Sequence, residues 1–258
     1  EYADQANVRN LVVMQGGVLH LYAVWTAQSY TVSFDANGGN MMTDSTSKKV
    51  TYGSTYGTLL AATRIGYDFA GWYTAKEDGR AIIAEIRVNI TADITMYAHW
   101  TAKTFTVSFD TNQGSGSSTP TSVSPIHVTY DFSYGGLPVT SRTGYTFNGW
   151  YTASSGGNKV TEKTKVTLTA DQTLYAQWTA NTYMVTFNAN GGNFADSTTD
   201  KRIDQTYDAN FKLPGEIPTR AGYAFEGWYT SSTAGDQIAA TTKMTTAGTP
   251  TLYAQWAK

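Results

Sequence analysis

Apolar and polar residues alternate along this chain in short stretches. In Tyr30-Thr31-Val32-Ser33-Phe34 the apolar residues share one parity and the polar residues the other, which is the period-two signature of a half-buried strand. The pattern returns at 105–109 and 183–187. Each stretch runs into a cluster such as Asp35-Ala36-Asn37-Gly38-Gly39, where Asn and Gly accept positive φ cheaply, so a tight hairpin turn is predicted. A second strand is predicted over 49–52 and its counterpart 127–130, a third over 66–74, and a last one at the Tyr-Ala-x-Trp runs. Residues 163–169 read as a further strand or an irregular edge. Nowhere is a 3.6-residue period sustained between helix caps, so the pattern allows at most one short helix per unit. The predicted class is mainly β to α+β.

The pattern repeats. Leu-Tyr-Ala-Val-Trp ends at Trp25, Met-Tyr-Ala-His-Trp at Trp100, and Leu-Tyr-Ala-Gln-Trp at Trp178 and Trp256, spaced by 75, 78 and 78 residues. Gly-Tyr-x-Phe-x-Gly-Trp-Tyr-Thr occupies 66–74, 144–152 and 222–230. Three markers in one order and nearly one period define three complete repeats, 26–100, 101–178 and 179–256. Residues 1–25 carry only the closing marker and read as the tail of a preceding repeat, so a longer parent array is expected. The links Thr101-Ala102-Lys103-Thr104 and Thr179-Ala180-Asn181-Thr182 span at most about 14 Å, which keeps neighbouring repeats close. Segments outside the markers differ in length, as surface loops on a fixed frame do.

These markers carry a family likeness. Each unit resembles the Listeria–Bacteroides repeat, the family that includes the internalin B-repeat. The likeness rests on the opening Tyr-Thr-Val-Ser-Phe-Asp-Ala-Asn-Gly-Gly, the central Thr-Arg-x-Gly-Tyr-x-Phe-x-Gly-Trp-Tyr-Thr and the closing Leu-Tyr-Ala-Gln-Trp. It implies small β-grasp-like modules, each a sheet with up to one helix, in tandem on bacterial surface or secreted proteins. It implies no activity. The chain departs from the pattern at Asn112-Gln113-Gly114, at Ser141 before Arg142, and at Gln205, where Val50 and Val128 stand in the other repeats.

Composition narrows the chemistry. Thr is the commonest residue and charged residues make up only 15% of the chain, which suits exposed pleated sheet. The 18 basic and 20 acidic side chains give a charge of −2, with no basic stripe for nucleic acid or for a membrane surface. No apolar run approaches the roughly 20 residues of a membrane span. Cysteine is absent, which excludes disulfides, thiolate metal sites and Cys nucleophiles. His20, His99 and His127 sit at non-equivalent positions without metal-ligand spacing, and no catalytic motif appears, so neither enzyme activity nor a cofactor is expected. Asp35-Ala36-Asn37-Gly38-Gly39 opens like a calcium loop, but Thr46 stands where the bidentate Glu belongs. Arg64, Arg142 and Arg220 recur two residues before each Gly-Tyr. Stacking on a ring or pairing with a loop carboxylate suits them better than an anionic ligand.

The ligand-binding candidates are Trp72, Trp150 and Trp228. Simple alternation puts them on the parity of Asp68, Asn148 and Glu226, a solvent face on which a spaced Trp row could stack sugars. A bulge at Gly71, Gly149 and Gly227 would instead turn them inward or against the next unit. The resulting expectation is an elongated, extracellular, non-enzymatic stalk. Three units end to end would reach on the order of 90–100 Å and space a neighbouring domain of the same parent chain from the cell. The alternative is an adhesin binding glycan or a host surface protein through the Trp face. Weak self-association through open sheet edges is a third expectation.

Overall fold

The computed structural model describes residues 16, 18, 20, 22–114 and 116–258. Of the proposed tail of a preceding repeat, 1–25, only residues 16, 18, 20 and 22–25 lie among the described residues. The chain divides into two compact units, 1–101 and 102–258. The first unit contains the first repeat, and the second contains the other two.

In the first unit the strands are β1 (Ser29–Asp35), β2 (Asn40–Met41), β3 (Ser47–Thr51), β4 (Ala62–Thr63), β5 (Tyr67–Tyr73), β6 (Ala81–Ile82) and β7 (Ile94–Ala102). In the second unit, the second repeat has β8 (Thr104–Asp110), β9 (Ile126–Thr129), β10 (Tyr145–Tyr151), β11 (Lys159–Val160) and β12 (Gln172–Ala180). The third repeat has β13 (Thr182–Asn188), β14 (Asp200–Thr206), β15 (Ala224–Tyr229), β16 (Gln237–Ile238) and β17 (Thr251–Ala257). Each repeat forms one five-stranded sheet, ordered β3-β1-β7-β5-β6, β9-β8-β12-β10-β11 and β14-β13-β17-β15-β16. The opening and closing strands form a parallel central pair, with antiparallel strands outside them. The mainly-β expectation holds. The helix allowed to each unit is absent among the described residues, where turns and isolated bridges such as Thr55↔Arg87 and Ser133↔Lys165 fill the crossover.

The Asn-Gly turn exists, but it does not join two paired strands. Asn37 and Gly38 take φ of 45° and 86°, and Gly39 N–H donates to the Ala36 carbonyl at 2.9 Å. The antiparallel partner of β1 begins only at Ser47. The strand that follows the turn, β2, pairs with β4 instead, and the closing strand packs on the turn. The Trp100 indole donates to the Ala36 carbonyl at 3.0 Å and packs so near Gly39 that a Cβ there would lie 2.4 Å from the ring. The Asn side chain then braces the turn. Asn37, Asn112 and Asn190 each donate to the carbonyl of the closing-strand alanine, Ala98, Ala176 or Ala254, at 3.0, 2.8 and 2.9 Å.

Each repeat has its own core. Val32, Phe34, Trp72, Met96 and Ala98 are buried in the first, and Val107, Trp150, Leu174 and Ala176 in the second. Val185, Phe187, Trp228, Leu252 and Ala254 are buried in the third. Gln205 adds a buried polar group to the third, and its amide is satisfied by the backbone of Lys212. Nε2 donates to the Lys212 carbonyl at 2.7 Å, and Oε1 accepts the Lys212 N–H at 2.8 Å.

Candidate functional site

Trp72, Trp150 and Trp228 are 1%, 1% and 4% exposed, so the exposure on which a sugar-stacking row depends is not met. A bulge turns them inward. Phe147 pairs with Trp178 and Gly149 with Gln177, leaving Asn148 as an extra residue, and Glu226 is extra in the same way between Phe225 and Gly227. The inserted residue reverses the alternation. Gly71, Gly149 and Gly227 hold φ of 127°, 122° and 144° there, a region open to Gly and strained for other residues. The result is the same ladder of rings in every repeat. In the second, Trp150 lies 4.5 Å from Phe109 and 5.4 Å from Phe147, which lies 5.2 Å from Trp178. Phe34, Trp72, Phe69 and Trp100 form it in the first repeat, and Phe187, Trp228, Phe225 and Trp256 in the third.

The recurrent arginines stack on the tyrosine three residues ahead. The guanidinium carbons of Arg64, Arg142 and Arg220 lie 4.0, 3.9 and 4.2 Å from the ring centroids of Tyr67, Tyr145 and Tyr223. His99 is stacked on Tyr73 at 3.8 Å, and its Nε2 donates to the Ala75 carbonyl at 2.9 Å. Gln177 and Gln255 make the equivalent bonds to Ala153 and Ser231, so His99 serves the frame. Among the described residues no cluster of three or more His, Cys, Asp or Glu could hold a metal ion. An open recess of about 380 Å³ in the third repeat is bordered by Thr230, Asp236, Gln237, Thr242, Lys243 and Thr251. None of the tryptophans borders it.

The densest polar chemistry is at the joint between the second and third repeats. β12 passes into β13 with only Asn181 between them, and that residue is fastened to the second repeat. Its N–H donates to the Gly144 carbonyl at 2.9 Å, and its Oδ1 accepts the Thr146 hydroxyl at 2.6 Å. The Asn181 carbonyl in turn accepts the Tyr207 N–H at 2.9 Å. Next to this link, Asp208 Oδ2 accepts the Tyr145 hydroxyl at 2.6 Å and the Ser117 N–H at 2.9 Å. The Tyr207 ring covers Gly144 and lies 5.6 Å from the ring of Tyr145. Arg142, 7% exposed, stacks behind Tyr145 and donates from Nε to the Ser118 carbonyl at 3.1 Å. Arg142 Nη2 and Asp208 Oδ1 are buried without hydrogen-bond partners among the described residues, and the attraction between these opposite charges partly compensates.

The protonation states fit this arrangement. Burial works against the Asp208 charge, but the hydrogen bonds from Ser117 and Tyr145 and the Arg142 guanidinium outweigh it. The carboxyl is held below its ordinary 3.8. Burial, then the bond to Asp208, raises the Tyr145 hydroxyl. A depressed Asp pKa stabilises the joint above about pH 4, and this contribution is lost as the pH falls through the folded value. Acidification below about pH 4 is therefore expected to lower the protection factor of the Ser117 amide, its exchange rate relative to an unstructured peptide at the same pH. An NMR titration of the Asp208 carboxyl that placed it at or above 3.8 would contradict these bonds.

Little of this joint shows in the sequence. Asp208 lies 63 residues from Tyr145, and Ser117 belongs to a loop that matches neither counterpart. The one usable signal was the recurrence of Arg-x-Gly-Tyr.

Three repeats with no helix among the described residues, each with the same ring ladder, the second and third fastened by a polar joint, define a tandem-repeat β protein. The chain belongs to the family of the Listeria-Bacteroides repeat domain, whose model matches residues 30–99, 105–177 and 183–255. Two similar proteins of Evansella cellulosilytica carry membrane-protein names, the first with the qualifier Gly-rich. They are 30% identical over 236 residues and 31% over 240. Each match covers 92% of this chain, but only 25% and 34% of those proteins. Internalin H of Listeria monocytogenes is 40% identical over 118 residues, 46% of this chain and 20% of its own length. The chain thus spans about a third or less of these relatives.

Proposed function

We propose that this chain is a non-enzymatic spacer in a bacterial surface or secreted protein, placing another domain of its parent at a set distance from the cell. The observation that carries the reading is the joint at Asn181. The link between the second and third repeats has no slack, because its backbone and side chain are hydrogen-bonded to Gly144, Thr146 and Tyr207. A link of this kind resists bending, which a spacer requires. Relatives named as membrane proteins and an internalin support an extracellular location. The strand order, with its parallel central pair, supports reading each repeat as a β-grasp-like sheet whose crossover has no helix among the described residues. Adhesion through Trp72, Trp150 and Trp228 draws no support from their burial.

The absence of cysteine makes the test direct. Ser155→Cys and Thr233→Cys, at exposed loops of the second and third repeats, accept a pair of spin labels. A single narrow inter-label distance is the expected result. A broad distribution, or saturable binding of the unlabelled chain on a glycan and matrix-protein array, would overturn the spacer reading.

A further inference from the structure

The third repeat carries the same face that the second repeat presents to the third, and on the third repeat it is bare. Arg220 stacks on Tyr223 as Arg142 does on Tyr145, and Gly222 holds φ of 81° where Gly144 holds 79°. The surroundings differ. A Cβ on Gly144 would lie 2.3 Å from the Tyr207 ring, whereas nothing stands within 4 Å of one on Gly222. Arg142 and Gly144 are buried, Arg220 is half-buried, and Gly222 and Tyr223 are exposed, Tyr223 to 39%. Among the described residues the Tyr223 hydroxyl makes no hydrogen bond and the Arg220 guanidinium has no carboxylate partner.

We propose that the Arg220–Gly222–Tyr223 face is a preformed docking site for a further repeat of this family that carries Tyr-Asp at the turn after its second long strand. In the joint already described, that dipeptide is Tyr207-Asp208. The incoming Tyr ring lies over Gly222, and the incoming carboxylate accepts the Tyr223 hydroxyl while facing the Arg220 charge. This chemistry selects the partner. The first repeat has Tyr52-Gly53 at that turn, so a second copy of this chain, approaching with its first repeat, brings the ring without the carboxylate. Counterparts of the Ser117 and Ser118 contacts are not required, because the loop after β13 is built differently, with Asn193 bridged to Thr219. The inference holds whether the array spaces or adheres, so its failure and the failure of the spacer reading are separate results.

The test appends a copy of residues 181–258 after Lys258. The chain then reads Trp256-Ala257-Lys258-Asn-Thr-Tyr, with the spacing of Trp178-Thr179-Ala180-Asn181-Thr182-Tyr183. Amide exchange over 221–224 is measured in the extended and the original chain. Docking is expected to slow it at least about tenfold, the scale of one hydrogen bond to a charged group. Asp208→Asn in the appended copy, or Tyr223→Phe in the original repeat, should remove most of that protection. The two together should remove no more than either alone. An appended repeat whose own strands are protected while 221–224 exchanges as before overturns the proposal. If that copy does not fold, residues 103–258 are appended instead. These present Tyr130-Asp131 one residue further from Trp256 than Tyr207-Asp208 lies from Trp178, and the same readout applies. Failure of both copies to fold and dock counts against the proposal. So does concentration-dependent protection of 221–224 in the original chain, which would make a second copy the occupant.

Discussion

Trp150→Ala is expected to destabilise the second repeat by about 3–5 kcal/mol, the usual cost of emptying an aromatic site in a packed core. The side chain is 1% exposed and lies between Phe109 and Phe147, so the neighbouring strands cannot close the space without losing their register. Its indole N–H also donates to the Pro138 carbonyl at 2.7 Å, and truncation leaves that oxygen without its partner. Domains are stable by only about 5–15 kcal/mol, so a repeat of this size would come close to unfolding. Trp150→Phe keeps a ring in the ladder but orphans the Pro138 carbonyl, and should cost about 1–3 kcal/mol. Urea unfolding followed by circular dichroism measures both. A loss below about 1 kcal/mol for Trp150→Ala is what a solvent-facing Trp would give, and it would return the Trp row to the surface.

The same residue shows where the sequence could be read and where it could not. The repeats, the opening strand with Val32 and Phe34 inward, and the closing strand with Leu174 and Ala176 buried all follow from strict alternation, and the structure has them. Alternation fails at the third strand, because one inserted residue at Asn148 or Glu226 reverses the facing of all that follows. The Gly before each Trp was the local sign, but a Gly in a strand signals a bulge or a close approach without saying which. Asn-Gly was likewise legible as a turn. After the turn the chain pairs with β4 and not with β1, and the Ala36 carbonyl accepts both the Gly39 N–H and the Trp100 indole from 64 residues away, neither of which local sequence shows. The missing helix had no positive signal, only the lack of a helical period. Gln205, which departs from Val50 and Val128, holds both polar groups of the Lys212 peptide backbone, a contact 7 residues along that the substitution alone does not reveal. The joint was the least legible part. Its acid comes from the next repeat, and Gly53 stands in the corresponding place of the first repeat, so Tyr-Asp does not recur in all three.

The larger test of that joint compares two chemically identical substitutions. Gly144→Ala and Gly222→Ala place the same methyl group at nearly the same backbone conformation, φ of 79° and 81°. The left-handed strain is therefore common to both, about 1–2 kcal/mol. The surroundings are not. At Gly222 the methyl group meets open space, whereas at Gly144 it would lie 2.3–2.4 Å from three atoms of the Tyr207 ring. That ring must move, with Asp208 beside it, and overpacking of this kind adds about 1–3 kcal/mol. Gly144→Ala is thus expected to cost about 2–5 kcal/mol in the unfolding of the second unit, against 1–2 for Gly222→Ala. It should also free the Ser117 amide to exchange. Tyr207→Ala removes the obstacle, so its combination with Gly144→Ala should cost less than the sum of the two single changes. Because the backbone strain cancels in the comparison, the difference between the two glycines measures the docked ring itself. Equal costs would mean that Tyr207 does not rest on Gly144 in solution, which would leave the spacing of the second and third repeats to the Asn181 link alone.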